Sequence, residues 1–267
     1  MKALLKIFLA SFLLLVLATS IFSCHQKENI LPQNGKDSLY IFVMAGQSNM
    51  AGRGIIEAQD TITSPFIYTI DSGENFVFAQ EPLNRLQPGL TGLDCGMSFA
   101  QSLLPSLPKG TKICLVPCAI GNTFLEEWLE DSDYVVPLYT NMLTRTRKAM
   151  QRGVLKGILW HQGEANAGSL DEQAIYQADF TAFIQKCRKD LSDDSLAFYA
   201  GTLAPWSHFP YIDSINSSLL RVEKSLPFVY IVSSVGLSAK PDSVHFDASG
   251  QRGLGKRFAD AVKQNLR

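Results

Sequence analysis

A serine can attack a carbonyl only when a base takes its proton, and this chain of 267 residues holds four histidines that could do so. His25 lies in a polar N-terminal stretch and is excluded by position. His208 lies in Pro205-Trp-Ser-His-Phe-Pro210, a loop suited to the rim of a site. His161 follows an apolar run, where a structural role is open to it. His245 has the strongest context, because Asp242 precedes it by three residues in a Pro-containing loop. Such a turn lets a carboxylate reach the imidazole Nδ1 and hold Nε2 toward a hydroxyl, as acyl-transfer triads require. The D-x-x-H spacing alone is common, and it also fits a pair that only braces its loop.

The serine that best fits such a base is Ser48, in Tyr40-Ile-Phe-Val-Met-Ala-Gly-Gln-Ser-Asn-Met-Ala-Gly52. The apolar run Leu39 to Ala45 ends at Gly46, which reads as a buried strand of a parallel sheet followed by a sharp turn. Ser48 then falls in the crevice beyond the strand's carboxyl end, where open α/β sheets bind ligands. Taken alone, the stretch is explained as well by a serine capping the next helix.

Four further runs read as strands: Lys112 to Pro117, Val154 to Trp160, Leu196 to Leu203 and Phe228 to Ser233. Helical patterns lie at Ser98 to Leu104, Tyr139 to Gln151, Leu170 to Leu191, Ile212 to Leu226 and Ser249 to Leu266. In the third of these, Ile175, Phe180, Phe183, Ile184 and Cys187 form the apolar stripe. Strands alternating with helices predict right-handed crossovers, a parallel sheet and helices on both faces. The stretch Ile55 to Pro88 reads as an irregular insertion over the sheet's carboxyl edge. The strand exits are polar. The first delivers Gln47-Ser48-Asn49, the second Ala119 to Trp128, the third His161-Gln-Gly-Glu-Ala-Asn166, and the fifth leads to Asp242-Ser-Val-His-Phe246.

In that order, Gly46-Gln-Ser-Asn-Met-Ala-Gly52, Gly121-Asn-Thr-Phe-Leu-Glu-Glu-Trp128, Trp160-His-Gln-Gly-Glu164 and Asp242-Ser-Val-His-Phe246 resemble the SGNH-hydrolase superfamily. More narrowly, they resemble carbohydrate esterase family six and the related sialate O-acetylesterases, over nearly the whole chain after its N-terminal segment. The resemblance implies a three-layer α/β/α, flavodoxin-like fold with a mostly parallel five-stranded sheet. It also implies a serine esterase that removes O-acetyl groups from carbohydrate, acetylated xylan and O-acetylated sialic acid being the candidate substrates. Ser48 would be the nucleophile, His245 the base and Asp242 the acid that orients it. The resemblance also offers Glu164 as the acid. Asp242 is placed first because a short loop fixes its distance to His245, whereas Glu164 must reach across from another strand. Gln162 matches a side-chain donor to the oxyanion hole, completed by the Ser48 amide and a glycine amide. Related proteins show Gly-Pro-Gly before Leu-Ser-Phe, whereas this chain has Asp94-Cys-Gly-Met-Ser-Phe99, so Gly96 is the expected donor. Gln47, Asn49, Asn122 and Trp206 are the expected substrate contacts. Asn122 stands where Gly is usual, and a structural substitution and an altered contact are both open. The mechanism needs no cofactor, and no spacing of ligands suggests a metal. A glycan-binding protein that kept the scaffold without turnover is the alternative from another class.

The net charge of −1 gives no electrostatic footprint for nucleic acid. Lys2 and Lys6, an apolar segment from Ile7 to Leu17 and Ile21-Phe-Ser-Cys24 read as a signal peptide over 1–23 with a lipobox-like end. Cys24 is then the expected lipidation site, residues 24–36 a tether and 37–267 the esterase domain. The expected location is outside the cytoplasm, anchored at the outer membrane on its periplasmic or surface face with membrane contact only through that lipid, or else secreted. Cys95, Cys114, Cys118 and Cys187 are expected as buried free thiols.

Overall fold

The computed structural model describes Gly35 and Ser38–Leu266. The expected signal segment, Cys24, His25 and the tether other than Gly35 lie outside the described residues. The rest is one compact unit with seven strands: β1 (Leu39–Gly46), β2 (Ile67–Ile70), β3 (Phe76–Phe78), β4 (Lys112–Pro117), β5 (Val154–His161), β6 (Phe198–Gly201) and β7 (Val229–Val232). Their order across the sheet is β3-β2-β4-β1-β5-β6-β7, parallel throughout except for β3, which runs antiparallel to β2.

The five expected strands are present, and two more extend one edge from inside the stretch read as irregular. Sequence pattern misses them for a physical reason. Ile67-Tyr-Thr-Ile70 is buried at all four positions and too short to show a period, and β3 has only three residues. The two are joined by a turn in which the Asp71 carboxylate accepts from the Gly73 and Asn75 amides, each at 2.9 Å.

The helices are α1 (Ser48–Ala51), α2 (Gly96–Leu103), α3 (Leu125–Leu129), α4 (Leu138–Met150), α5 (Leu170–Leu191), α6 (Ile212–Ser225) and α7 (Ala248–Asn265). Successive side chains of β1 alternate between two cores. Phe42 and Met44 pack with Phe99, Leu103, Leu254 and Phe258 under α2 and α7. On the other face Trp128, Trp160, Phe180, Phe183 and Phe198 form a continuous aromatic cluster with edge-on, tilted and stacked contacts. Along α5, Ile175 is 46% exposed and Tyr176 takes the inward place, its hydroxyl donating to the Gln162 carbonyl at 2.9 Å. The four described cysteines are buried and unpaired.

Candidate active site

The site stands at the carboxyl end of the central strand. Gly46 has φ +129°, and a Cβ there would collide with the His161 carbonyl of the neighbouring β5. Only glycine lets β1 turn that close to its neighbour. The chain then enters α1, with Ser48 at its first residue and nearly buried.

His245 reaches Ser48 from a loop almost two hundred residues away. Its Nε2 lies 3.1 Å from Ser48 Oγ, and its Nδ1 lies 2.9 Å from Asp242 Oδ2. The loop is curled so that this happens. Ser243 adopts φ +54°, and Asp242 Oδ1 accepts from the backbone amides of Val244 and His245, each at 2.9 Å. Lys240 N donates to the His245 carbonyl at 2.8 Å and closes the turn. Burial alone would raise the Asp242 pKa, but bonds from the His245 ring and from the two amides outweigh it and hold the carboxyl at about 2. An ionised Asp242 on Nδ1 fixes the tautomer with its proton there, leaving the Nε2 lone pair facing the serine hydroxyl.

Glu164 is not on His245. Its Oε1 accepts from Asn49 Nδ2 at 2.6 Å and lies 3.5 Å from His161 Nδ1. Asn49 in turn donates from Nδ2 to the Val244 carbonyl at 3.0 Å and accepts at Oδ1 from the Phe246 amide at 3.0 Å. The two residues that flank His245 are therefore clamped by Asn49, and Glu164 holds the clamp. Asn49, expected as a substrate contact, is buried and fully engaged in this brace. His161 is fully buried, and its pKa is lowered chiefly by that burial. It packs edge-on to Phe246 at 5.5 Å, as a structural histidine.

Two other expectations, both for oxyanion donors, need correction. Gln162 is buried, and its Nε2 already donates to the Thr123 carbonyl at 2.9 Å and to Asn166 Oδ1 at 2.7 Å. With both amide protons committed, it braces the second and third motifs instead of aiming at a substrate oxygen. The Gly96 amide is likewise taken, donating to Asp94 Oδ1 at 2.7 Å. Asp94 is buried beside Glu81, and burial pushes both carboxyls above their ordinary range. Gln47 Oε1 faces the amides of Gly163 and Ala165 at 3.4 and 3.3 Å, so its carbonyl end steadies the His161–Glu164 turn.

Asn122 is exposed at φ +63°, a conformation glycine favours and asparagine tolerates, which explains the residue types found there. Trp206 donates from Nε1 to the Leu237 carbonyl at 2.7 Å and packs edge-on against Phe246 at 5.3 Å. It is half-buried beside the His245 loop, whereas Trp128 and Trp160 belong to the core.

Sequence reasoning missed Gly121, Gln87 and Arg53. Ile120 N donates to the Gly46 carbonyl at 3.0 Å, so Gly121 and Ser48 leave adjacent strand ends side by side. The Gly121 amide donates to Gln87 Oε1 at 2.7 Å. A Cβ on Gly121 would run into Arg53 Nη2. Gly121 was visible as a fixed point of the second motif. Arg53 carried no such signal, since nothing in its spacing to the second motif places it against Gly121.

Among the described residues, no group of three or more His, Cys, Asp or Glu side chains is placed to hold a metal ion, and no helix is long and apolar enough to cross a membrane. The arrangement supplies a hydroxyl, a base and an ionised orienting acid in line, which is what acyl transfer from an ester needs.

Comparison with known proteins agrees with this chemistry. A family model described as carbohydrate esterase, sialic acid-specific acetylesterase, matches residues 38–264. A probable carbohydrate esterase of Arabidopsis thaliana is 31% identical over 244 residues, covering 85% of this chain and 91% of the plant protein. The solved structure of the Arabidopsis protein superposes with a TM-score of 0.77 at 28% identity, covering 85% of this chain and 99% of that one. The crystal structure of NanS superposes with a TM-score of 0.71 at 19% identity, covering 86% of this chain and 98% of that one, a likeness of fold.

Proposed function

Because this chain belongs to the sialic acid-specific acetylesterase family of carbohydrate esterases, we propose that it releases acetate from O-acetylated sugars through Ser48, His245 and Asp242. The observation that carries this reading is the unbroken line from Ser48 Oγ through His245 to Asp242, at 3.1 and 2.9 Å. His245 Nε2 takes the Ser48 proton as Oγ attacks the acetyl carbonyl. The tetrahedral intermediate collapses, the sugar oxygen leaves with the proton held by His245, and Ser48 carries the acetyl group. A water deprotonated by His245 then attacks the acetyl-enzyme, and acetate departs as the Ser48 hydroxyl is restored.

The developing oxyanion needs donors aimed at it, and the backbone amides of Ser48 and Gly121 are the pair this geometry favours. In the free protein Gln87 Oε1 sits on the Gly121 amide and holds the place of a substrate oxygen. Gln87→Ala is expected to raise kcat/KM on a small aryl acetate by a few-fold, since no side chain then has to leave the amide. An unchanged or lowered value would remove Gln87 from this role.

Acetate release from acetylated xylan and from O-acetylated sialic acid, measured side by side, tests the reading. Release from at least one of them supports the esterase. A folded wild-type protein that releases acetate from neither, nor from an aryl acetate, would favour a glycan-binding protein without turnover.

A further inference from the structure

Arg53 lies five residues beyond Ser48 and is half-buried. Its Nη1 donates to the Gly52 carbonyl at 2.9 Å. Among the described residues no carboxylate pairs with it. Glu57, the nearest acid along the chain, is held with Asp60 by Arg252, at 2.8 and 2.9 Å. The other end of the Arg53 guanidinium rests against Gly121, whose lack of a side chain makes room for it. Gln87, bonded to the Gly121 amide, lies at the same point. Three polar groups from separate segments thus meet next to the turn that carries Ser48.

A cation drawn partly out of water without a counter-ion is costly, and here burial lowers the Arg53 pKa with no acid to offset it. Folds tolerate such a charge where a ligand supplies the missing anion. A guanidinium is suited to this because its planar fork can grip both oxygens of a carboxylate. Its place against Gly121, at the strand exit bonded to the one that carries Ser48, makes the substrate the natural source of that anion.

We propose that Arg53 binds the carboxylate of an acidic sugar whose acetyl ester is presented to Ser48. This rests on the esterase reading and narrows it: the preferred substrate carries a carboxylate, as sialic acids and uronic acid-bearing xylan fragments do, and neutral acetylated sugars lack the anchor. Arg53 acts on binding and selectivity, while the bond-breaking steps stay with Ser48 and His245.

The test compares kcat/KM for an O-acetylated sialic acid and for an acetylated glucuronoxylan fragment with kcat/KM for the carboxyl methyl ester of each. Wild type is expected to prefer the free acid of the source it uses by roughly 10-fold to 100-fold, the range of a charge-assisted bidentate pair. Arg53→Gln is expected to remove that preference by lowering the value for the acid, and Arg53→Lys to keep part of it. The acid-to-ester ratio is a readout that a purely structural role would not move. Equal rates on acid and ester by wild type, for both sources, would overturn the proposal. So would a common fall of acid, ester and aryl acetate in Arg53→Gln, which would place the guanidinium at the reacting carbonyl or in the fold. Calorimetric titration of N-acetylneuraminate and of the deacetylated glucuronoxylan fragment into wild type and Arg53→Gln separates this from the esterase reading, because it needs no turnover. Binding weakened about 10-fold or more by the substitution supports the subsite. Binding of neither acid to wild type, or equal binding to both proteins, overturns it, whatever the protein does with an aryl acetate.

Discussion

Ser48→Ala is expected to lower the rate of acetate release about 10⁵-fold to 10⁶-fold, the scale on which a triad loses its nucleophile. The substitution removes one oxygen from a nearly buried position at the start of a four-residue helix and disturbs no backbone hydrogen bond there. Stability should therefore change little, and circular dichroism with thermal melting checks that the loss is chemical. His245→Ala should cost a similar factor. The double variant should lose little more than either single one, because a nucleophile and its base act as a unit. A double variant whose losses multiply would mean that the two residues act independently, and the line between them would then have no mechanistic weight.

The second large effect separates the two candidate acids. Asp242→Asn is expected to lower kcat about 10³-fold to 10⁴-fold, because an amide at Nδ1 no longer selects the tautomer that points a lone pair at Ser48. Glu164→Gln is expected to cost about 10-fold or less, since the new amide oxygen can still accept from Asn49 and keep the clamp on Val244 and Phe246. Kinetics on an aryl acetate with both variants decide the matter. A nearly intact Asp242→Asn beside a dead Glu164→Gln would give the acid's role to Glu164.

The pH dependence follows with a definite sign. Bonds from the His245 ring and the loop amides hold the folded Asp242 pKa, at about 2, below its ordinary value. A depressed carboxyl pKa stabilises the fold above the unfolded pKa, and that contribution is lost as pH falls through the folded value. The Asp242–His245 loop should thus keep its ionised acid at every pH above the ordinary carboxylate range. Any fall in activity at higher pH than that belongs to another group.

Much of the fold was legible in the sequence because its central strands are buried on both faces. β1 and β4 read as near-continuous apolar runs and β5 as one interrupted by Lys156, and each leads into polar residues that mark the sheet's carboxyl edge. The edge pair β2 and β3 was not legible, being too short to carry a period. Ser48, Asp242 and His245 could be read together because motifs that are each weak alone occur in order along the chain. The donors could not. Whether Gln162, Gly96 or Gly121 offers a free N–H depends on which acceptor already holds it, and the acceptors are Thr123 with Asn166, Asp94 and Gln87 respectively. The Asp94–Gly96 bond has the spacing of a local turn, but the bonds to Thr123 and Gln87 join segments more than thirty residues apart and do not follow from sequence spacing. The same is true of Asn49, whose side chain bonds to atoms more than a hundred residues away.

The measurement closest to the central claim is covalent trapping. A fluorophosphonate ester, which reacts with a serine only when a neighbouring base activates it, is incubated with wild type, and the peptides are read by mass spectrometry. The account predicts one adduct, on the peptide containing Ser48, formed in step with the loss of aryl acetate hydrolysis and absent from His245→Ala. An active wild-type protein that is inhibited with the adduct on another residue, or that labels equally well without His245, would contradict it.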